Sequence, residues 1–227
     1  MKKSCVLLSL ILFCTCLSAQ TKVITVSEDE EMSVVNSLRY VSPEYVEGSV
    51  QFKDGTRYPA MLNIDIYNSS TLFISPEKDT LAVTNEKDIE RVSLGSRMFF
   101  KTKNGYTEVL DMCGDVLLGC QRRLSILEIE KVGAFGMPTN SSSVQTISTL
   151  YEGGNSFELS KYKNAKFKYE EIPVIISDGK NTPISDKTLK KYFPKKKESI
   201  DSYLSENKVD MKDANQVRAL FRFLMNN

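Results

Sequence analysis

Histidine and tryptophan are both missing from this chain of 227 residues. Without imidazole there is no His-based triad, no His-ligated metal or haem, and no imidazole proton shuttle. Without indole, an aromatic sugar platform would have to be built from the 10 Tyr and 11 Phe. Net charge is nearly missing too: 30 Lys and Arg against 29 Asp and Glu leave +1, so no global field draws the chain to nucleic acid. No Asp-x-Asp-x-Asp-Gly loop exists for calcium. Gly153-Gly154 lacks the following Lys-Ser/Thr of a phosphate loop. No cofactor and no metal site are expected. What remains, with 41% hydrophobic and 26% charged residues, is a chain able to bury a core.

The first residues read as an export signal. Lys2 and Lys3 form a basic start, residues 6–13 an apolar stretch, and Leu17-Ser18-Ala19 a cleavage site before Gln20. That stretch is too short, and too soon followed by polar residues, to span a membrane. Phe13 before Cys14 and Thr15 before Cys16 do not suit a lipoprotein acceptor, which follows a small residue. Residues 1–19 are expected to be removed near Ala19, leaving an exported product, periplasmic or secreted, with no transmembrane span. Cleavage takes away Cys5, Cys14 and Cys16 and leaves Cys113 and Cys120. Gly114-Asp115 reads as a hairpin turn, which sets Cys120 along the return strand, beyond the roughly 7 Å reach of a disulfide. In phase with Val116 and Leu118, Cys120 reads as a buried thiol.

Residues 20–132 are expected to form a β-rich domain. Val50 and Phe52 alternate before Asp54-Gly55, and Asn104-Gly105 is a second strong hairpin signal. Leu62, Ile64 and Ile66 alternate with Asn63, Asp65 and Tyr67, the pattern of a half-buried strand. Asp79-Thr80-Leu81 fits both a short bacterial O-glycosylation pattern and a strand-entry turn. Residues 133–156, with Ser141-Ser142-Ser143 and Gly153-Gly154, read as a flexible loop. Residues 157–227 read as short strands, turned at Asp178-Gly179, and then a helical tail. Ser185 is a good N-cap, with Ile184 and Leu189 as a hydrophobic staple. Pro194 sits at a helix start, Asn207 at a stop, and Asp210 at the cap of the last helix. The fold class is α+β: an antiparallel meander or small barrel, the Ser/Gly-rich loop, and two to three C-terminal helices.

Two features point to a partner. Lys190, Lys191, Lys195, Lys196 and Lys197 form the densest basic cluster, interleaved with Tyr192, Phe193 and Pro194. Three of these lysines open a helix, where positive charge opposes the macrodipole. That misplacement suggests an anionic partner such as a lipid head group, a glycan or an acidic protein. Val217, Leu220, Phe221 and Leu224 form an apolar stripe, which packs on the sheet or else faces a partner. Charge is split as well: residues 20–132 hold 13 basic and 18 acidic side chains, residues 133–227 hold 15 and 11. This suits an intramolecular docking surface or an anionic partner. Ser-x-x-Lys, the Ser–Lys option, occurs at Ser75/Lys78, Ser160/Lys163, Ser177/Lys180 and Ser205/Lys208, without its companion Ser-Asp-Asn or Lys-Thr-Gly elements. The acidic run at 28–31 reads as a solvated lead-in.

The Ala19-Gln20 ending, the text GSVQFKDGTRYPAMLNIDIY at 48–67 and the text LKKYFPKKKESIDSYLSENKVDMKDANQVRALFRFL at 189–224 resemble a family of small exported Gram-negative bacterial proteins of uncharacterised function. The resemblance implies a β-rich body with a Lys-rich helical tail, and supplies no catalytic residue, cofactor or substrate. The expected function is a non-catalytic envelope or periplasmic protein that binds a protein partner or an anionic surface. The alternative is an exported hydrolase or lyase working on an envelope or extracellular polymer through carboxylates or Ser–Lys.

Overall fold

Turn chemistry sets most of the strand boundaries. The computed structural model describes residues 21–27, 33–132, 138–139 and 164–226. The expected export signal, the acidic run and most of the 133–156 loop lie outside these residues. Strand β1 (Lys22–Ser27) and helix α1 (Ser33–Arg39) come first. Asp54-Gly55 then joins β2 (Val46–Phe52) to β3 (Arg57–Asp65), which is followed by β4 (Ser70–Ile74) and β5 (Thr80–Ala82). Asp79-Thr80 is a strand entry. A second series follows: β6 (Ile89–Leu94), β7 (Arg97–Thr102), β8 (Gly105–Cys113) and β9 (Val116–Val132), with Asn104-Gly105 and Gly114-Asp115 at its turns. The short β10 (Pro138–Thr139) adds to β9, and one long strand, β11 (Asn164–Ser177), stands before the Asp178-Gly179 turn where the sequence reads as short strands. Asp178 and Gly179, both with positive φ (51° and 67°), make the two-residue hairpin to β12 (Lys180–Pro183).

All pairings are antiparallel, in the order β1-β11-β9-β8-β7-β6-β2-β3-β4-β5, with β10 on β9 and β12 on β11. Two meanders, β2–β5 and β6–β9, are therefore stitched together where β2 meets β6. The stitch is tight: a Cβ on Gly48 would lie 2.0 Å from the Ser93 carbonyl oxygen, so only glycine fits there. The edge strands β1 and β5 do not meet, and the small-barrel form of the expectation fails. The residues on either side of segment 133–156 share one sheet, because β11 pairs with β9 from Asn164↔Glu130 to Ile176↔Leu117.

Directly paired residues share a face of a sheet. Along the β9–β11 ribbon one face runs from Ile126/Phe167 and Leu124/Tyr169, through Arg122/Glu171 and Cys120/Pro173, to Leu118/Ile175. The first pairs belong to a core with Val50, Leu62, Ile64, Val92 and Phe99. The last pair belongs to a second core under the helices. A charged seam thus separates two apolar regions.

The helices are α2 (Asp186–Tyr192), α3 (Lys197–Glu206) and α4 (Ala214–Asn226). Ser185 caps α2, its Oγ accepting from the Thr188 N–H at 3.1 Å, and the staple residues Ile184 and Leu189 are both buried. Pro194 opens a 3₁₀ turn into α3, and Asn207 closes that helix. The cap of α4 is Asp213 rather than Asp210: Asp213 Oδ1 accepts from the Asn215 and Gln216 N–H groups at 2.8 and 3.1 Å. Asp210 instead takes the Lys212 N–H in the preceding turn.

Strand β3 also departs from expectation. Asn63 and Asp65, on its supposed solvent face, are only 2% and 1% exposed. Residues 40–44 and α1 lie against them. Asn63 Nδ2 donates to the Ser42 carbonyl at 2.9 Å, and Asp65 Oδ2 accepts from Arg39 Nε at 2.8 Å.

Candidate functional site

The end of the sheet built from β2 to β5 leaves an apolar groove of about 590 Å³ open to solvent. Alternation on β2 and β3 sends Val50 and Leu62 to its floor, 3% and 1% exposed. Cross-strand pairing sets Tyr58 beside Val50, and runs Leu62, Phe73 and Leu81 in one row over three strands. Phe52 and Tyr58 meet edge to face, ring centres 5.9 Å apart. The rim is where burial stops: Tyr58 is 59% exposed and Leu81 46%. No lining residue carries a charge, and only Tyr58 and Thr84 bring a polar side-chain atom. Such a lining suits an apolar group, and places no carboxylate, amine or thiol in the groove.

Residues 83–88 cross from β5 to β6 beside the groove and are pinned in place. The Val83 N–H donates to the Thr71 carbonyl at 2.9 Å. Glu86 accepts from Lys101 Nζ at 2.8 Å, from the Tyr106 hydroxyl at 2.7 Å and from the Thr71 N–H. Lys101 also lies 4.2 Å from the Tyr106 ring centre, a cation–π contact. Burial first, then the Glu86 charge, raises the Tyr106 hydroxyl far above its ordinary range, so it stays protonated as a donor.

The charged seam is the other concentration of ionisable groups. Glu108 takes a forked pair from Arg97, Nε at 2.7 Å and a terminal nitrogen at 2.9 Å, and a further bond from Arg122. Arg122 Nε reaches Glu171 at 3.1 Å, and the Tyr169 hydroxyl donates to the same carboxylate at 2.9 Å. Desolvation would raise the Glu108 carboxyl. The hydrogen bonds and charges of Arg97 and Arg122 outweigh it and hold the carboxyl below its ordinary value. Burial pushes the Cys120 thiol up to about 12, so it is not a thiolate at neutral pH. Cys113 and Cys120 are both free; Cys120 is buried opposite Glu108, matching its reading as a buried thiol. Among the described residues no three of Cys, Asp and Glu come together as a metal site.

The lysine cluster is partly spent inside the molecule. Lys190 is held by Asp186 at 3.0 Å and Asp201 at 2.5 Å. Lys196 donates to the Leu224 carbonyl near the end of α4, and Lys191 lies 5.6 Å from the Tyr192 ring centre. The charge that seemed misplaced at the start of α3 therefore serves the C-terminal end of α4, where a cation is favourable. Lys195 and Lys197 are exposed. Val217, Leu220, Phe221 and Leu224 are 0% exposed. They hold α4 on the sheet, the first of the two arrangements expected for them, and cannot face a partner. Of the Ser-x-x-Lys pairs, Ser75/Lys78 is a turn, Ser177 and Lys180 face each other across a hairpin, and Ser205/Lys208 is exposed. Ser160/Lys163 lies outside the described residues.

The groove residues were missed from sequence because each reads singly as ordinary strand alternation. The one available signal was an unusually apolar edge at Leu81-Ala82-Val83. No helix among the described residues is long and apolar enough to cross a membrane. Compared with protein-family models, curated proteins and solved structures, the chain matches none.

Proposed function

We propose that this chain is an exported, non-catalytic envelope or periplasmic protein that holds a protein partner at the open end of its sheet. The observation that carries the reading is the groove of about 590 Å³, uncharged and rimmed by exposed Tyr58 and Leu81. Export rests on the basic, apolar and small-residue order of residues 1–19. The commitments of the buried carboxylates support a binding role over a hydrolase or lyase. Glu108 is occupied by two guanidinium groups, Asp65 by Arg39, and Asp213 by the start of α4. The internal roles of Lys190 and Lys196 favour the groove over the lysine segment as the contact, and a protein over an anionic surface.

The test is photocrosslinking in cells from a benzophenone amino acid replacing Tyr58 or Leu81. Met112, 58% exposed on β8, is the control position. A discrete adduct from both groove positions and none from Met112 is expected, and its protein component, once purified, should bind the native chain and not Leu81→Glu. Identical adducts from all three positions would remove the groove from the reading.

A further inference from the structure

We infer that the partner binds as an extended peptide strand added to the outer edge of β5, with alternate apolar side chains lying in the groove. The inference rests on the binding reading above. Strand β5 ends the strand order, and all three of its residues are exposed. Its rungs to β4 are fixed on both sides: the Ser75 N–H donates to the Asp79 carbonyl, and the Val83 N–H to the Thr71 carbonyl, each at 2.9 Å. Antiparallel pairs alternate between bonded and non-bonded. Residues 79, 81 and 83 therefore turn their backbone groups toward β4, whereas Thr80 and Ala82 turn theirs outward.

Within its three residues that outward edge has no lysine, no proline and no bulge, so of the devices that keep strands from adding to one another β5 itself carries only its shortness, with Lys78 in the turn before it. It is also flush with the groove. Leu62, Phe73 and Leu81 form one row across β3, β4 and β5, with exposure rising to 46% at Leu81. The next place in that row belongs to whatever pairs with β5, and its side chain falls on the groove face. Main-chain bonds and an apolar row together describe strand addition, with affinity from the edge and selectivity from alternate side chains. A second copy of this chain fits less well, because a three-residue edge and one groove fall short of the roughly 800 Å² per partner of a stable interface.

The test uses the full chain and a fluorescein-labelled octapeptide alternating valine with threonine. Two isomers of the peptide carry N-methyl groups on alternate residues, one blocking each of its hydrogen-bonding edges. The apolar dye anilinonaphthalene sulfonate reports on the groove alone. The parent peptide is expected to bind and to displace the dye. One N-methylated isomer should bind at least about tenfold more weakly, since it forfeits two main-chain bonds, and the other should keep the parent affinity. Thr80→Pro, which removes an outward N–H at the first residue of an edge strand and lies outside the groove lining, should weaken the peptide and leave the dye in place. Equal binding of all three peptides, or dye binding without peptide binding, overturns strand addition and leaves the groove reading standing. Failure of both dye and peptide overturns both. A concentration-dependent dimer that Thr80→Pro dissociates would replace the peptide by a second copy. Should Thr80→Pro not fold, the comparison of the two isomers decides alone.

Discussion

The two ends of one sheet face solve the same problem differently. Under the helices, Leu118 and Ile175 meet Leu189, Ile200 and Leu220, all of them 0% exposed, and Phe193 meets Phe221 edge to face at 5.3 Å. On this face of the β2–β5 end no helix among the described residues arrives; α1 lies on the other face, at Asp65. Among the described residues only 83–88 cross there, pinned through Glu86, and the apolar floor formed by Val50 and Leu62 opens to solvent past Tyr58 and Leu81. Between the two lies the seam of Arg97, Glu108, Arg122 and Glu171. The lesson is that an apolar sheet face need not be covered throughout. Where a helix is supplied it becomes core, and where none is supplied it becomes a surface fit for use.

The sharpest break in that comparison should come from truncation at the covered end. Phe221→Ala is expected to cost about 3–5 kcal/mol, read from the urea midpoint, because a fully buried ring leaves a cavity. Cutting the seam should come next. Glu108→Ala takes the carboxylate from Arg97 and leaves Arg122 with Glu171 alone, for a loss of about 2–4 kcal/mol, less than for a fully buried pair because both arginines retain some solvent.

The same seam sets the acid limb. Glu108 is held below its ordinary value of 4.5 and Asp111, between Arg218 and Arg222, below 3.8. A carboxyl depressed on folding contributes stability that is fully present above its unfolded pKa and is lost as pH falls through the folded one. Stability to urea should therefore hold level from pH 7 to about pH 5, then drop below about pH 4, and Glu108→Gln should make that drop shallower. A midpoint already falling between pH 7 and pH 5 would place the acid sensitivity elsewhere. Lys196→Gln should cost about 0.5–1 kcal/mol, as its charge serves the end of α4, whereas Lys195→Gln should cost almost nothing. The smallest effect is expected at the open end: Tyr58→Ala and Leu81→Ala should stay within about 0.5 kcal/mol. If Tyr58→Ala matched Phe221→Ala, the open end would be core after all.

Much of the frame was readable where local chemistry decides it. Asp54-Gly55, Asn104-Gly105 and Asp178-Gly179 each mark a real hairpin, and Ser185 with Ile184 and Leu189 marks the start of α2. The stripe on α4 was equally plain. Long-range pairing was not. Nothing local says that β2 lies between β3 and β6, which depends on Gly48 admitting the Ser93 carbonyl. Asn63 and Asp65 looked like solvent-facing alternates because their cover comes from residues 39–44, whose contribution is polar bonding rather than apolar pattern. Lys196 looked misplaced because the carbonyl it serves, that of Leu224, is remote in sequence. The groove is of this kind as well: Val50, Phe73 and Leu81 become a site only when three hairpins bring them together.

The long ribbon of β9 and β11 carries a consequence for the chain that joins its two strands. Thr139 pairs with Lys131 and Asn164 with Glu130, so the chain departs and returns one rung apart on the same strand. Whatever lies between is topologically an insert. Closing a chain between two fixed points costs a free energy that grows only with the logarithm of the number of residues between them, so the sheet places little demand on how many residues join these two rungs.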